Sequence, residues 1–209
     1  KYVSKQNALL VEGRSAISRL SLYSIQRRSA RKVIHTLKKF KIGVFDIEAS
    51  DLRGNKGVII CSDVKLIGGG HITRVNQNLG KDGLNDKDLC IQIKKDLEDC
   101  WLIIGFYTLN YDMKFLNTRL LYWGQSPVRK TLHIDLYRLV RRHFSATRRN
   151  LATVGEILGI KQKKTYFEIQ IWLEAAINGN REAIKKIVEH NKIDTELTEK
   201  VFMKLKELV

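Results

Sequence analysis

Two carboxylates, Asp46 and Glu48, lie on an apolar stretch that runs from residue 42 to residue 48. An apolar run of this length is typical of a strand buried on both faces in an α/β sheet. Successive strand residues point to opposite faces, so the two carboxylates share one face, roughly 6–7 Å apart. Their repulsion and lost hydration are relieved by a cation between them. The pair predicts an oxygen-ligand site for Mg²⁺ or Mn²⁺; the alternative is two solvated acids at a fraying strand end.

The rest of the chain alternates strands and helices. Strands are predicted at residues 42–48, 58–67, 71–76, 101–106 and 132–136, and helices at 89–100, 110–123 and throughout the chain after 136. Tight polar turns join the first three strands, which makes them antiparallel neighbours. The glycine triplet 68–70 is one such turn; it lacks the lysine and helix start of a phosphate-binding loop, so no small-molecule cofactor is predicted. Three antiparallel strands, then two more, with flanking helices, indicate an α/β fold.

Positive charge is concentrated at the start of the chain. Residues 1–41 hold eleven Lys or Arg and one acid, a net charge of +10 out of the +16 of all 209 residues. An apolar stripe at helical spacing predicts a basic helical segment over 1–40, helix-turn-helix-like in layout, before one domain over 41–209.

An excess of positive charge this large predicts an anionic partner, and nucleic acid is the commonest. The candidate contacts on the N-terminal segment are Arg27, Arg28, Arg31 and Lys32. Three alternatives stay open for this helix. It reads the base sequence in a groove of duplex DNA, it adds only non-specific affinity for phosphates, or it is solvated and binds no nucleic acid.

The cysteines and the apolar runs bear on location. Cys61, Cys90 and Cys100 are odd in number and form no Cys-x-x-Cys, so neither a disulfide framework nor a zinc site is predicted, and reduced intracellular thiols are expected. The longest apolar run, residues 101–107, is too short to span a bilayer, and no secretory signal is visible. The expectation is an intracellular protein, cytoplasmic or associated with nucleoid or nucleus, without a membrane partner.

Two further acidic positions belong with the strand pair. Asp112 follows the predicted strand 101–106 and a short turn, and so opens a helix beside a strand end, where ligands gather in α/β sheets. His190 and Asp194 are four residues apart and therefore share one face of a helix. The alternative for Asp112 is that it caps the helix, and the alternative for His190 and Asp194 is a pair that faces solvent.

Together these segments resemble the DEDD exonucleases of the RNase H-like superfamily. Phe45-Asp-Ile-Glu48 resembles the first motif of that family, residues 105–119 the second, and His190-Asn-x-x-Asp194 the third. The resemblance covers about residues 41–206 and is strongest to the proofreading exonuclease domains of B-family DNA polymerases and their stand-alone relatives. Two features depart from the family: Tyr107 stands where the polymerase relatives carry Asn, and His190 stands one residue closer to its aspartate than in the histidine subtype.

The resemblance implies an RNase H-like fold and a site for two divalent ions, Mg²⁺ or Mn²⁺. It assigns Asp46 to both ions, Glu48 and Asp194 to the first, Asp112 to the second, and His190 to the attacking water. It also places the aromatic residues that follow the strand near the bases of a frayed 3′ end, although each is as plausible in the core: Phe106, Tyr107 and Tyr111. Four arginines after the last strand bind phosphates or form a solvated face: Arg141, Arg142, Arg148 and Arg149.

The function implied is metal-dependent 3′–5′ exonuclease activity, with DNA favoured over RNA as the substrate. One alternative is a non-catalytic nucleic-acid-binding regulator that uses residues 1–40 and keeps a decayed nuclease domain as a scaffold. The other alternative is a structure-specific endonuclease on the same fold, which shares the chemistry and differs in the shape of its substrate channel.

Overall fold

A computed structural model describes residues 41–81, 85–129, 131–161 and 168–209. The predicted basic segment over 1–40, with Arg27, Arg28, Arg31 and Lys32, lies outside the described residues and stays a prediction. The strands are β1 (Ile42–Ala49), β2 (Ile59–Leu66), β3 (His71–Val75), β4 (Leu102–Gly105) and β5 (Leu132–Asp135). The helices are α1 (Lys87–Glu98), α2 (Asp112–Tyr122), α3 (Leu136–His143), α4 (Leu151–Ile157), α5 (Gln170–Asn178) and α6 (Arg181–Leu205), which a 3₁₀ turn (Lys206–Leu208) follows.

The five strands form one mixed sheet in the order β3-β2-β1-β4-β5. β1 pairs antiparallel with β2, and β2 with β3, whereas β1–β4 and β4–β5 are parallel. The predicted arrangement of three antiparallel strands and two more is confirmed. The expectation of unbroken helix after β5 is wrong at residues 144–149, which are not helical. Phe144 ends α3 in an extended conformation, and the Asn150 side chain accepts a hydrogen bond from the Thr153 amide to begin α4.

β1 lies in the middle of the sheet, and its alternation decides which face each side chain meets. Phe45 and Ile47 pack in a core cluster with α1 and α2. Ile42 and Val44 pack on the other face, in a cluster with α3, α4 and α6. Asp46 and Glu48 are even-numbered like Ile42 and Val44, so their side chains lie on the same face of the sheet, the face that α6 covers, at the carboxyl end of the strand.

The turn after β4 leads the chain to the start of α2. A Cβ atom at Gly105 would overlap the side chain of Thr108, which is buried and lies 2.8 Å (Oγ1 to Nε2) from His133 on β5. Burial lowers the pKa of His133 to about 4. Asp135 holds the other side of the turn, where its carboxylate accepts hydrogen bonds from the amides of Tyr107 and Leu109. The turn is therefore closed by buried polar contacts that fix where α2 begins.

Replacing Gly105 by alanine should lower the free energy of unfolding by about 3 kcal/mol, because Thr108 has no space into which to move. Urea unfolding measures the loss. Gly70→Ala is the matched control: no atom lies within 4 Å of a Cβ atom there, so the change should stay within about 0.5 kcal/mol. Equal stability of the two variants would show that the turn adapts to a side chain.

The last residue of the second motif, Arg119, forms a buried ion pair with Asp86. Its guanidinium is buried and donates hydrogen bonds to both carboxylate oxygens of Asp86, at 2.8–3.0 Å. The indole of Trp123 also donates to Asp86, at 2.7 Å. This buried ion pair fastens the residue before α1 to the end of α2.

In the part of the chain that the structure describes, no helix combines the length and the apolar character that a bilayer crossing requires.

Candidate active site

The two carboxylates of β1 are held by hydrogen bonds from helices that follow far along the chain. The Asn191 amide on α6 donates to Asp46 Oδ2 at 2.7 Å. The indole of Trp172 on α5 donates to Glu48 Oε2 at 2.9 Å. The pairing of β1 with β2 shifts register between Glu48 and Ala49, so the strand ends in an irregularity beside the carboxylates. Such irregularities re-aim side chains at the edges of sites.

Asp112 is the first residue of α2 and is 3% exposed. One of its carboxylate oxygens accepts a hydrogen bond from the Ile47 amide, at 3.0 Å. Ile47 lies on β1 between the other two acids, so this bond fixes the third carboxylate beside them. Tyr111, not Asp112, holds the capping position before α2, and the Asp112 side chain ties the helix to the strand.

The third motif lies in the middle of α6. His190 Nε2 is 3.8 Å from Glu48 Oε1 and 3.8 Å from Asp194 Oδ2. The side chains of His190 and Asp194 are 21% and 33% exposed, so the pair faces β1 rather than open solvent. The predicted helical face is confirmed, and the solvent-facing alternative is not what the structure shows.

Burial and mutual repulsion raise the pKa values of the acids. Burial raises the pKa of Asp46 well above its ordinary value, and the charges of Asp112, Glu48 and Asp194 raise it further. Burial raises the pKa of Glu48 to about 8, although the Trp172 hydrogen bond opposes the shift. Burial raises the pKa of Asp112 to about 7 and that of Asp194 above its ordinary value, the latter opposed by His190. The structure thus brings together all five predicted catalytic residues.

Among the described residues, His190 is the cationic type of side chain that lies against this cluster. No lysine or arginine among the described residues forms an ion pair with Asp46, Glu48, Asp112 or Asp194. In the same ranges, no group of three or more His, Cys, Asp or Glu side chains is already arranged to hold a metal ion. The carboxylates are near enough to shift one another's pKa values, and hydrogen bonds hold three of them in place.

Sequence reasoning missed two residues of this site. Asn191 stands inside the third motif, next to His190, and its place on the same helix turn was the available signal. Its Oδ1 atom is buried without a hydrogen-bond partner in the described structure. Trp172 contacts a residue 124 positions away, and its ring packs edge-on against His190 with centroids 6.2 Å apart. No local sequence pattern predicts a contact between residues so far apart in the chain.

The three aromatic residues predicted near the bases have different environments. Phe106 is partly buried against the core and contacts Tyr137. Tyr111 packs on Phe115, and its hydroxyl donates to the Asp51 carbonyl at 3.1 Å. Tyr107 is 45% exposed and has a backbone φ of 69°. The core alternative fits Phe106 and Tyr111, and only Tyr107 offers an exposed ring.

The fold and the acidic site define an α/β protein with its candidate site at the carboxyl end of the central strand. The family model of the RNase H superfamily matches residues 44–206, and the chain belongs to that superfamily. A similar solved structure is the family B DNA polymerase from the hyperthermophilic archaeon Pyrobaculum calidifontis, with a TM-score of 0.61 and 18% sequence identity. The match covers 79% of this chain and 24% of the polymerase, so the chain spans about a quarter of it. No curated protein sequence matches the chain.

These comparisons confirm the expected RNase H-like fold and the expected likeness to B-family DNA polymerases. At 18% identity, the polymerase shows shared architecture and leaves the chemistry to be argued from the residues of this chain.

Proposed function

We propose that the protein is a metal-dependent 3′–5′ exonuclease of the DEDD class, with Asp46, Glu48, Asp112 and Asp194 as its four acids. The observation that supports this proposal is the clustering of four carboxylates with raised pKa values around Asp46. Such a cluster costs stability unless cations bind it. Strongly perturbed pKa values also concentrate at functional sites.

The donor chemistry fits two divalent ions. All four donors are carboxylates, which Mg²⁺ and Mn²⁺ prefer. Hydrogen bonds fix one oxygen each of Asp46 and Glu48, which leaves the other oxygen of each to a cation, and the Ile47 amide holds Asp112 beside them. Bound ions would supply polarisation of the scissile phosphate and stabilisation of the charge that develops on it. In this assignment Asp46 would contribute to holding both ions, Glu48 and Asp194 would hold the first, and Asp112 would hold the second.

His190 is the residue that we assign to the attacking water. Its Nε2 atom lies 3.8 Å from carboxylate oxygens of both Glu48 and Asp194, so a water between these groups is within hydrogen-bonding reach of the ring. Trp172 packs against the imidazole and donates to Glu48, which orients both groups. The short His–Asp spacing is compatible with this role because both residues project from one face of α6.

DNA is the proposed substrate. The chain carries a formal charge of +16, as expected for a protein that binds a polyanion. The similar solved structure is described as a DNA polymerase, and the shared architecture makes a DNA strand the first substrate to test.

The proposal is tested by degradation of oligonucleotides of DNA and RNA, single- and double-stranded, with Mg²⁺, Mn²⁺ or EDTA. We expect 5′-labelled single-stranded DNA to shorten stepwise from its 3′ end, and 3′-labelled DNA to release labelled mononucleotide at once. Internal fragments from both labels would instead support the endonuclease. Tight binding without cleavage under any metal would support the non-catalytic regulator.

A further inference from the structure

A strained and exposed aromatic residue, Tyr107, follows the carboxyl end of β4, the strand that runs parallel beside β1. Tyr107 has a left-handed backbone conformation, which non-glycine residues with bulky side chains rarely adopt. Such strain persists only where the surroundings impose it, and it concentrates at functional sites. The Asp135 carboxylate imposes it here by accepting the Tyr107 amide at 2.9 Å. Tyr107 is 45% exposed and lies outside the core clusters.

The ring of Tyr137 packs against the ring of Tyr107. The two ring centroids are 4.8 Å apart and the rings are nearly perpendicular, at 82°. Tyr137 lies in the first turn of α3, and its backbone amide donates a hydrogen bond to the Asp135 carboxylate at 3.0 Å. The same carboxylate therefore fixes the backbone of both tyrosines. The near-perpendicular contact steadies the Tyr107 side chain, and its exposure leaves aromatic surface on which a flat ring can stack.

Three arginines continue from Tyr137 along the exposed side of α3. Arg138, Arg141 and Arg142 are exposed and together border a shallow, open depression of the surface. Tyr137 and Arg141 are four residues apart, so they lie on one helical face with Arg138 and Arg142 beside it. No carboxylate in the described ranges forms an ion pair with these arginines. The opposite side of α3 is buried in the core through Leu136 and Val140, which makes the helix a fixed support.

We propose that these five residues, which we call the α3 path, bind a single strand of nucleic acid that leads to the candidate site. An exposed aromatic side chain takes an unstacked base, and exposed cations spaced along a helix take successive phosphates. A duplex cannot use the ring, because its bases are already stacked. The inference rests on the proposed function, since it assigns the α3 path to the DNA strand that this function requires.

The first test is equilibrium binding of a fluorescein-labelled 15-nucleotide oligo-dT to the full chain in EDTA, at several salt concentrations. Arg138→Ala/Arg141→Ala/Arg142→Ala should weaken binding at least about tenfold at 0.1 M salt. It should also make the slope of log K against log salt shallower by about two, since three phosphate contacts are lost. The matched control removes three cations from α1, on the other face of the sheet: Lys87→Ala/Lys94→Ala/Lys95→Ala. Equal losses in the two triple variants would overturn the α3 path.

The second test separates stacking from structure. Tyr107→Asn relieves the left-handed strain but loses the contact with Tyr137, two opposing effects of similar size, so the thermal midpoint should shift by less than about 3 °C. Affinity for the single strand should fall about tenfold, whereas affinity for a duplex of equal length should not change. Tyr107→Phe should restore single-strand binding. Unchanged single-strand affinity in Tyr107→Asn would overturn the stacking role.

The outcomes of these tests are separable from those of the cleavage assay. Binding is measured without metal, so a chain that cleaves nothing still reports on the α3 path. A chain that shortens DNA from its 3′ end, yet binds it equally well without the three arginines, would retain the proposed function and lose the α3 path.

Discussion

Replacing Asp46 by asparagine should reduce cleavage about 10³-fold or more and, at the same time, make the metal-free protein more stable. The carboxylate is the central member of the acidic cluster, and losing a ligand that stabilises developing charge removes several kcal/mol from the transition state. Asparagine keeps the size of the side chain and can still accept the Asn191 hydrogen bond, so the fold is retained. Removing one buried charge also removes its repulsion with Asp112, Glu48 and Asp194.

The opposite signs of the two effects make this prediction specific. A structural aspartate loses stability when it is neutralised, whereas a functional one is held at a cost to stability. Initial cleavage rates and thermal midpoints of Asp46→Asn measure both effects. Asp88→Asn is the control, because Asp88 is exposed on α1, on the other face of the sheet. Cleavage near the wild-type rate in Asp46→Asn would locate the chemistry elsewhere.

The features that sequence predicted are those that local patterns encode. β1 is recognisable because a buried central strand needs an apolar residue at nearly every position, and Asp46 and Glu48 break that rule on one face. The shared helical face of His190 and Asp194 follows from helical periodicity, whereas their assignment to the site came from the resemblance of the third motif. The antiparallel pairing of β1, β2 and β3 follows from the tight turns between them, and the sheet confirms it.

The features that sequence did not predict depend on distant contacts. Trp172 reaches Glu48 only because α5 packs beside the end of β1, and no periodicity specifies that meeting. The left-handed conformation of Tyr107 is imposed by Asp135, 28 residues away, against the preference of the tyrosine itself. Such departures from local preference are expected where a site overrides it.

The metal-free protein should be distinctly less stable at pH 8 than at pH 5.5. Folding raises the pKa values of Asp46, Glu48, Asp112 and Asp194, so the folded chain binds more protons than the unfolded chain above about pH 4. Stability is then full at low pH and falls as the pH rises through the folded pKa values, to about 8 for Glu48. We expect the thermal midpoint to fall by about 10 °C across this interval.

Mg²⁺ or Mn²⁺ should reverse most of this loss, because the cation replaces the protons that the carboxylates release. The midpoint at pH 8 should therefore rise with metal concentration, whereas at pH 5.5 the metal competes with bound protons and should have little effect. In Asp46→Asn both the fall with pH and the rescue by metal should be smaller, and in Asp88→Asn both should match the wild type. A midpoint at pH 8 that does not respond to either metal would argue that the four carboxylates do not form a cation site.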